Sequence, residues 1–366
     1  MILTAGPSIT QKEIDYVSDA VKSGWNNNWN SYLSKLEDAF KEKFNAKHAL
    51  LTSSCTGAMH MAIRAMGIGE GDEVIVPELT WVATASVVHY VGATPVFVDV
   101  NRDTWTMDPQ SFRNAITDKT KAVMPVHLYG HPAKMDEIVA IAKEHNLKIL
   151  EDAAPAIGAT FDGKYCGTFG DVAAFSFQGA KMMVTGEGGI LITNDDEIFA
   201  NIKQFSEHGR SKDPNNTFWI EEIGYKYKMS NIQAALGLAQ FERIDELIDR
   251  KRLIFSFYKK RLNEIDGIKL NKEADWAKSI YWMSSIFLEK DFGISRNDLM
   301  RKLKQDGIDS RPVFPTISKY PMWYSDCHNP NAVAISGNSI NLPSGHNLEE
   351  EQIDYICKSI LKQIGR

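Results

Sequence analysis

Between residues 50 and 200, short runs rich in Val, Ile and Phe alternate with stretches of helical period. Parallel strands need a crossover of about a dozen residues between them, so this rhythm predicts a parallel sheet joined by helices. The expected strands are 72–77 (DEVIVP), 94–100 (TPVFVDV), 121–127 (KAVMPVH), 147–152 (LKILED), 173–177 (AAFSF) and 189–193 (GILIT). Several are apolar on both faces, as a sheet covered by helices on each side requires. Helices are expected at 83–90 and 132–145, the second with Pro132 in its first turn and Met135, Ile138, Val139 and Ala142 along one face. The class is α/β.

The rhythm changes at Met229. From there Ile232, Ala235, Leu236, Ala239, Ile244, Leu247 and Ile248 recur at helical spacing and predict one long helix running toward Tyr258. Beyond it, 280–288 (IYWMSSIFL) reads as a strand, 296–305 as a helix and 349–364 as a closing amphipathic helix. A chain of 366 residues holds about two domains. The long helix is the natural bridge, and a division at residue 250 gives domains 1–250 and 251–366.

Composition excludes several classes of function. The net charge is −6 and no basic stripe is present, so the footprint of a nucleic-acid partner is missing. The four cysteines, Cys55, Cys166, Cys327 and Cys357, form no C-x-x-C pair, which argues against a zinc site and a disulfide framework and suits a reducing cytoplasm. His127 and His131 stand four apart, but Gly130 and Pro132 break the helix that metal spacing would need, so no metal is expected. The first residues lack a basic segment followed by an apolar one, and no apolar run approaches the ~18 residues of a membrane span. A cytoplasmic protein with no membrane association is therefore expected.

In an open α/β sheet, ligands bind beyond the carboxyl ends of the strands. The strand at 147–152 ends in Glu151-Asp152 beside Ala153 and Ala154. An ionised Asp152 there would hold a ring nitrogen protonated, or would cap the following helix. After the strand at 173–177 comes a loop with a single lysine, Lys181, between Gly179-Ala180 and Met182-Met183. Such neighbours desolvate an ammonium and lower its pKa, as a Schiff-base lysine needs; the plain alternative is a surface lysine beside a glycine turn. Ser54, Cys55 and Thr56 open an apolar-periodic helix, either as a phosphate cradle or as an ordinary N-cap. Trp81 follows the strand at 72–77 and would stack on a flat ligand or join the core. No dinucleotide fingerprint, P-loop or G-x-S-x-G elbow occurs.

In that chain order, a phosphate cradle, a stacking aromatic, a strand-end Asp and a loop lysine resemble the fold-type I pyridoxal phosphate enzymes. More narrowly, the chain is similar to the DegT/DnrJ/EryC1/StrS family of sugar aminotransferases. The segments that carry the likeness are GDEVIVP at 71–77, GATPVFVDV at 92–100, VHLYG at 126–130, EDAA at 151–154, GTFGDVAAFSF at 167–177, TGEGG at 185–189 and KMSNIQAALGLAQ at 228–240. The resemblance implies a large, mainly parallel-sheet domain binding pyridoxal 5′-phosphate (PLP) and a smaller C-terminal α+β domain. It makes Lys181 the lysine that joins the cofactor and later moves the proton, and Asp152 the partner of the pyridinium nitrogen. Trp81 takes the place of the stacking aromatic. Ser176 and the start of the helix at Ser54, Cys55 and Thr56 take that of the phosphate ligands. Asn231 matches a phosphate ligand donated by the neighbouring subunit, which implies a homodimer with shared sites.

Two positions depart from the family. Pro155 stands where Gln or Glu contacts the cofactor's phenolic oxygen. The stretch 25–30 (WNNNWN) replaces a glycine-containing turn, and Trp25, Asn27 and Asn28 are expected to read sugar hydroxyls, the plainer alternative being only a turn. Arg311 would meet a carboxylate or phosphate of the substrate. The implied activity is transfer of an amino group, from glutamate, to a nucleotide-linked 4-keto-6-deoxy hexose for amino-sugar or surface-polysaccharide synthesis. A free keto sugar such as an octulosonic acid derivative, a PLP-dependent sugar dehydratase and a non-catalytic PLP-binding regulator are the alternatives. The dehydratase is disfavoured because such relatives carry His at the lysine position.

Overall fold

Seven strands build the central sheet of the computed structural model, which describes residues 1–366 apart from 212, 214, 217, 326 and 327. Cys327 therefore lies outside the described residues. The strands are β1 (His48–Thr52), β2 (Glu73–Pro77), β3 (Thr94–Val98), β4 (Thr120–Val123), β5 (Lys148–Asp152), β6 (Val172–Ser176) and β7 (Gly189–Thr193). Their order across the sheet is β1-β7-β6-β5-β4-β2-β3. The expected parallel pairing holds from β3 to β6. β7 corrects it, running antiparallel to both β6 and β1. No crossover helix separates β6 from β7, so the chain can only turn back. β1 was not among the expected strands.

Helices cover both faces: α1 (Gln11–Ser23), α2 (Ser31–Phe44), α3 (Cys55–Ala65), α4 (Ala83–Tyr90), α5 (Pro109–Asn114), α6 (Met135–Glu144), α7 (Asp196–Ser206) and α8 (Asn231–Phe241). Strand residues alternate between the two layers. Val172, Ala174 and Leu191 pack with Ala58 and Ile63 of α3 and Ile202 of α7. Phe175, Ile190 and Ile192 pack with Leu36 and Phe40 of α2 and Ala235 of α8. Phe40 is fully buried and stacks on Phe241 with centroids 4.3 Å apart while its ring meets Phe175 edge-on. Burying such a side chain stabilises by about 1.5–3 kcal/mol and clamps α2 and α8 beneath the loops that follow β6.

The expected long helix is two. α8 ends at Phe241 and α9 spans Ile244–Leu262. Arg243, at φ −109° and ψ 11°, breaks the helix where its guanidinium bonds Glu13 at 2.7 Å and Glu246 at 2.8 Å. Residue 250 falls inside α9. Beyond it, β8 (Ile268–Leu270), β9 (Ser285–Leu288), β10 (Arg311–Pro312) and β11 (Ser339–Asn341) form an antiparallel sheet in the order β8-β9-β11-β10. It packs on α9, α10 (Arg296–Gln305) and, after α11 (Pro330–Asn338), α12 (Glu350–Gln363) through residues such as Tyr258, Leu303, Ile340 and Ile356. The first residues join this part of the molecule: Ile2 bridges to Ile308, and Ser344 N–H donates to the Thr4 carbonyl at 2.9 Å. The strand expected at 280–288 begins only at Ser285, because Tyr281 takes a left-handed φ of 45° that a strand cannot contain.

Candidate active site

A cavity of about 390 Å³ opens where the carboxyl ends of β5 and β6 meet the start of α3 and the tip of the antiparallel sheet. Its wall includes Lys181, Asp152, Trp81, Ser176 and Arg311, together with Ser54, Cys55 and Thr56. The structure thus brings together most of the side chains singled out in the sequence.

Asp152 is 4 % exposed and its two oxygens are fixed separately. Thr84 Oγ1 donates to Oδ2 at 2.8 Å, and Ala154 N–H donates to Oδ1 at 3.1 Å. Burial pushes its carboxyl up from the ordinary value, while the Thr84 hydroxyl and the Lys181 charge pull it back. Lys181 is half-buried. Burial lowers its ammonium below the usual lysine value, against the Asp152 carboxylate and Cys55, which raise it. A carboxylate and an amine of this kind in one cavity form a proton-handling pair.

Ser54 caps α3 in the way the plainer reading expects: its Oγ accepts from Gly57 N–H at 3.0 Å, and its carbonyl accepts from Ala58 N–H. The amides of Cys55 and Thr56, in the first turn of the helix, have no acceptor within it, and they lie at the positive end of the helix dipole in the cavity wall. Gly189 permits this placement, since a Cβ there would sit 2.6 Å from the Cys55 nitrogen. Trp81 is 56 % exposed, with its ring 5.6 Å from that of Phe314.

Four residues lie apart from this cavity in the single chain. Asn231 is buried, with Oδ1 accepting from Tyr32 N–H at 2.9 Å. Its Nδ2 has no partner among the described residues. Trp25 donates its indole N–H to the Val21 carbonyl at 2.7 Å, and Asn28 Nδ2 reaches the Ser23 carbonyl at 3.4 Å. Asn27 is exposed between them.

Other wall residues were not anticipated. Tyr129 sits at φ 52°, and its hydroxyl accepts from Asn341 Nδ2 at 3.2 Å and from Phe314 N–H at 3.4 Å. Trp282, Phe314 and Asn341 come from the C-terminal part. The segment VHLYG carried a signal only through the resemblance, and Trp282 lay in a presumed strand. Pro155 lines the cavity and brings no side-chain donor.

These residues fit PLP. A buried carboxylate suits a pyridinium, a desolvated amine suits a carbonyl, Trp81 offers an exposed ring face, and the unspent amides of Cys55 and Thr56 with the Ser176 hydroxyl suit a phosphate. Among the described residues no group of three or more His, Cys, Asp or Glu is placed to hold a metal, and no helix is long and apolar enough to cross a membrane.

The model of the DegT/DnrJ/EryC1/StrS aminotransferase family matches residues 7–361. GDP-perosamine synthase of Escherichia coli O157:H7 is 43 % identical over 356 residues, 97 % of this chain and 96 % of that protein. GDP-perosamine synthase of Caulobacter vibrioides is 39 % identical over 365 residues, 98 % and 97 % of the two chains. Among solved structures, a putative sugar aminotransferase of Streptococcus pneumoniae in its PMP-form superposes with a TM-score of 0.91 at 28 % identity, covering 100 % of this chain and 99 % of that one. The same protein is also known in a PLP-form. Fold, cavity chemistry and these likenesses agree: the chain belongs to the DegT/DnrJ/EryC1/StrS family and is a PLP-dependent sugar aminotransferase.

Proposed function

We propose that the enzyme transfers an amino group from glutamate to a nucleotide-linked 4-keto-6-deoxy hexose, acting in the cytoplasm as a homodimer. The observation that carries this reading is the placement of Lys181 and Asp152 in one cavity with Arg311 in its wall. The names of the relatives at 43 % and 39 % identity supply the substrate class, since their product is an amino sugar on guanosine diphosphate.

When bound, PLP supplies the carbonyl that takes up the amino group and a ring that spreads the charge of a deprotonated carbon. Asp152, held by Thr84 and Ala154, keeps the proton on the ring nitrogen. Lys181, its ammonium lowered from the usual lysine value by burial, gives up and takes back a proton at Nζ. The Cys55 and Thr56 amides and the Ser176 hydroxyl hold the phosphate. Arg311 meets an anionic group of the substrate. A dimer is supported by apolar side chains left in solvent, among them Phe218 at 84 % and Ile223 at 80 % exposure.

The test is incubation with glutamate and a GDP-linked 4-keto-6-deoxy hexose, followed by mass spectrometry of the sugar. The expected product is heavier by the replacement of a keto oxygen with an amino group. Turnover of a free keto acid sugar, with none of the nucleotide-linked one, would instead select the octulosonic type of substrate. No amino transfer to the GDP-linked sugar would overturn a nucleotide-linked 4-keto-6-deoxy hexose as the acceptor.

A further inference from the structure

Trp282 enters the cavity from a segment that abandons its strand. Tyr281, just before it, holds its left-handed backbone because its ring stacks on Phe255 of α9, with centroids 3.6 Å apart and planes 10° from parallel. Its N–H is taken by Ser279 Oγ at 3.1 Å. Gly130 packs so close that a Cβ there would lie 3.1 Å from the backbone nitrogens of Tyr281 and Trp282. The Trp282 carbonyl accepts from the buried ammonium of Lys251 at 3.3 Å.

Fixed in this way, the indole is 6 % exposed and makes two contacts with the lysine loop. Its Nε1–H donates to the Ala180 carbonyl at 2.6 Å. Its ring centroid lies 3.9 Å from Lys181 Nζ. A buried tryptophan needs an acceptor for its N–H, and core packing alone would explain that bond. It would not explain why the electron-rich ring face meets Lys181 of the cavity wall.

We infer that Trp282 is a positioning residue for Lys181: the indole N–H pins the loop at Ala180, and the ring receives the Lys181 ammonium whenever that side chain is not joined to the cofactor. The inference rests on the reading of Lys181 as the lysine that joins PLP. The ring favours the charged amine. Asp152 from β5 and Cys55 from α3 favour it too, burial opposes it, and Tyr129, Glu187 and Arg311 line the same cavity.

Fluorine on the benzene ring of tryptophan drains charge from the ring face and leaves its shape nearly unchanged, so the test does not require a destabilised variant. The 366-residue chain, freed of cofactor and grown with trifluorinated tryptophan, is labelled by trace acetic anhydride across roughly pH 6–11, and the Lys181 peptide is quantified by mass spectrometry. The Lys181 midpoint is expected to fall by roughly half a unit. Lys228, 3.9 Å from the ring centroid of Trp29, should fall with it as an internal control. In a Trp282→Phe chain the response of Lys181 to fluorination should vanish. A Lys181 midpoint indifferent to fluorination, or one that responds equally in Trp282→Phe, overturns the inference. Borohydride reduction of the PLP-loaded protein tests the underlying reading separately: an adduct on a lysine other than Lys181 removes that reading whatever the titration shows.

Discussion

Glu151 and Asp152 are adjacent in β5, yet their carboxylates face opposite sides of the sheet and meet opposite chemistry. Asp152 turns to the cavity. Glu151 turns inward, where it accepts from His127 Nε2 at 2.9 Å and from the amides of Gly167, Phe169 and Gly170 at 2.6–2.7 Å. His127 Nδ1 accepts from Ala133 N–H, so its proton lies on Nε2 and points at Glu151. The inner carboxylate therefore anchors the strand end that presents the outer one.

Glu151→Gln should consequently be a stability variant. The amide brings two hydrogens to a site that already holds only donors, and both residues of the Glu151–His127 pair are fully buried. A loss of roughly 2–4 kcal/mol is expected in urea unfolding. An unchanged midpoint would show that the turn at 167–170 does not depend on the charge.

Asp152→Asn should behave differently. Oδ1 of the amide can still accept from Ala154 N–H, and the Thr84 hydroxyl can turn to accept from Nδ2, so folding and cofactor content should hold. Activity should fall by about 100-fold or more, because a neutral amide does not hold the ring-nitrogen proton. Cofactor stoichiometry and kcat measured on the same preparation separate the two effects. Activity within a few-fold of wild type would make Asp152 structural.

The side chains with a local sequence signature were the legible ones. Asp152 closes an apolar run, Lys181 stands alone in a small-residue loop, and the alternation between residues 50 and 200 reports a covered sheet. The features without such a signature depend on contacts between distant segments. The break before Ile244 is set by Arg243 reaching Glu13, a partner 230 residues away in the chain. The run IYWMSSIFL has strand composition throughout, yet stacking of Tyr281 on Phe255 turns its first half into the cavity wall. The reversal of β7 follows from an irregular connection with no crossover helix after β6, which hydrophobic pattern alone does not fix.

Lys251 gives a pH dependence. Its ammonium is buried against the carbonyls of Trp282 and Ser344, with His346 the neighbouring titratable ring, and burial pushes it down to about 7 from the ordinary 10.5. Between those values the unfolded chain binds a proton that the folded chain has released, so stability rises with pH through this window and falls as pH drops toward 7. The unfolding free energy of wild type minus that of Lys251→Met should increase by about 1 kcal/mol per pH unit from roughly pH 7.5 to 9.5. A pH-independent difference would mean that the ammonium keeps its proton in the fold.

Asn231 decides whether the site is shared between subunits. Its Oδ1 is spent on Tyr32 N–H, but its Nδ2 is buried with no partner among the described residues, a costly state for a donor that an anion brought by a second subunit would relieve. If that anion is the partner's cofactor phosphate, one active site needs Lys181 from one chain and Asn231 from the other. Asn231→Asp keeps an acceptor for Tyr32 and places a carboxylate against the phosphate, so its homodimer should bind PLP poorly. Lys181→Ala should fold yet show no visible absorbance from covalently held cofactor, and should have negligible turnover. After random exchange of equal amounts, half the dimers are mixed. Each mixed dimer holds one intact site of two, so activity should return to about a quarter of wild type. Native mass spectrometry verifies the exchange. Mixed dimers that remain as inactive as both parents would show that Asn231 serves only its own chain, holding the start of α2 to α8.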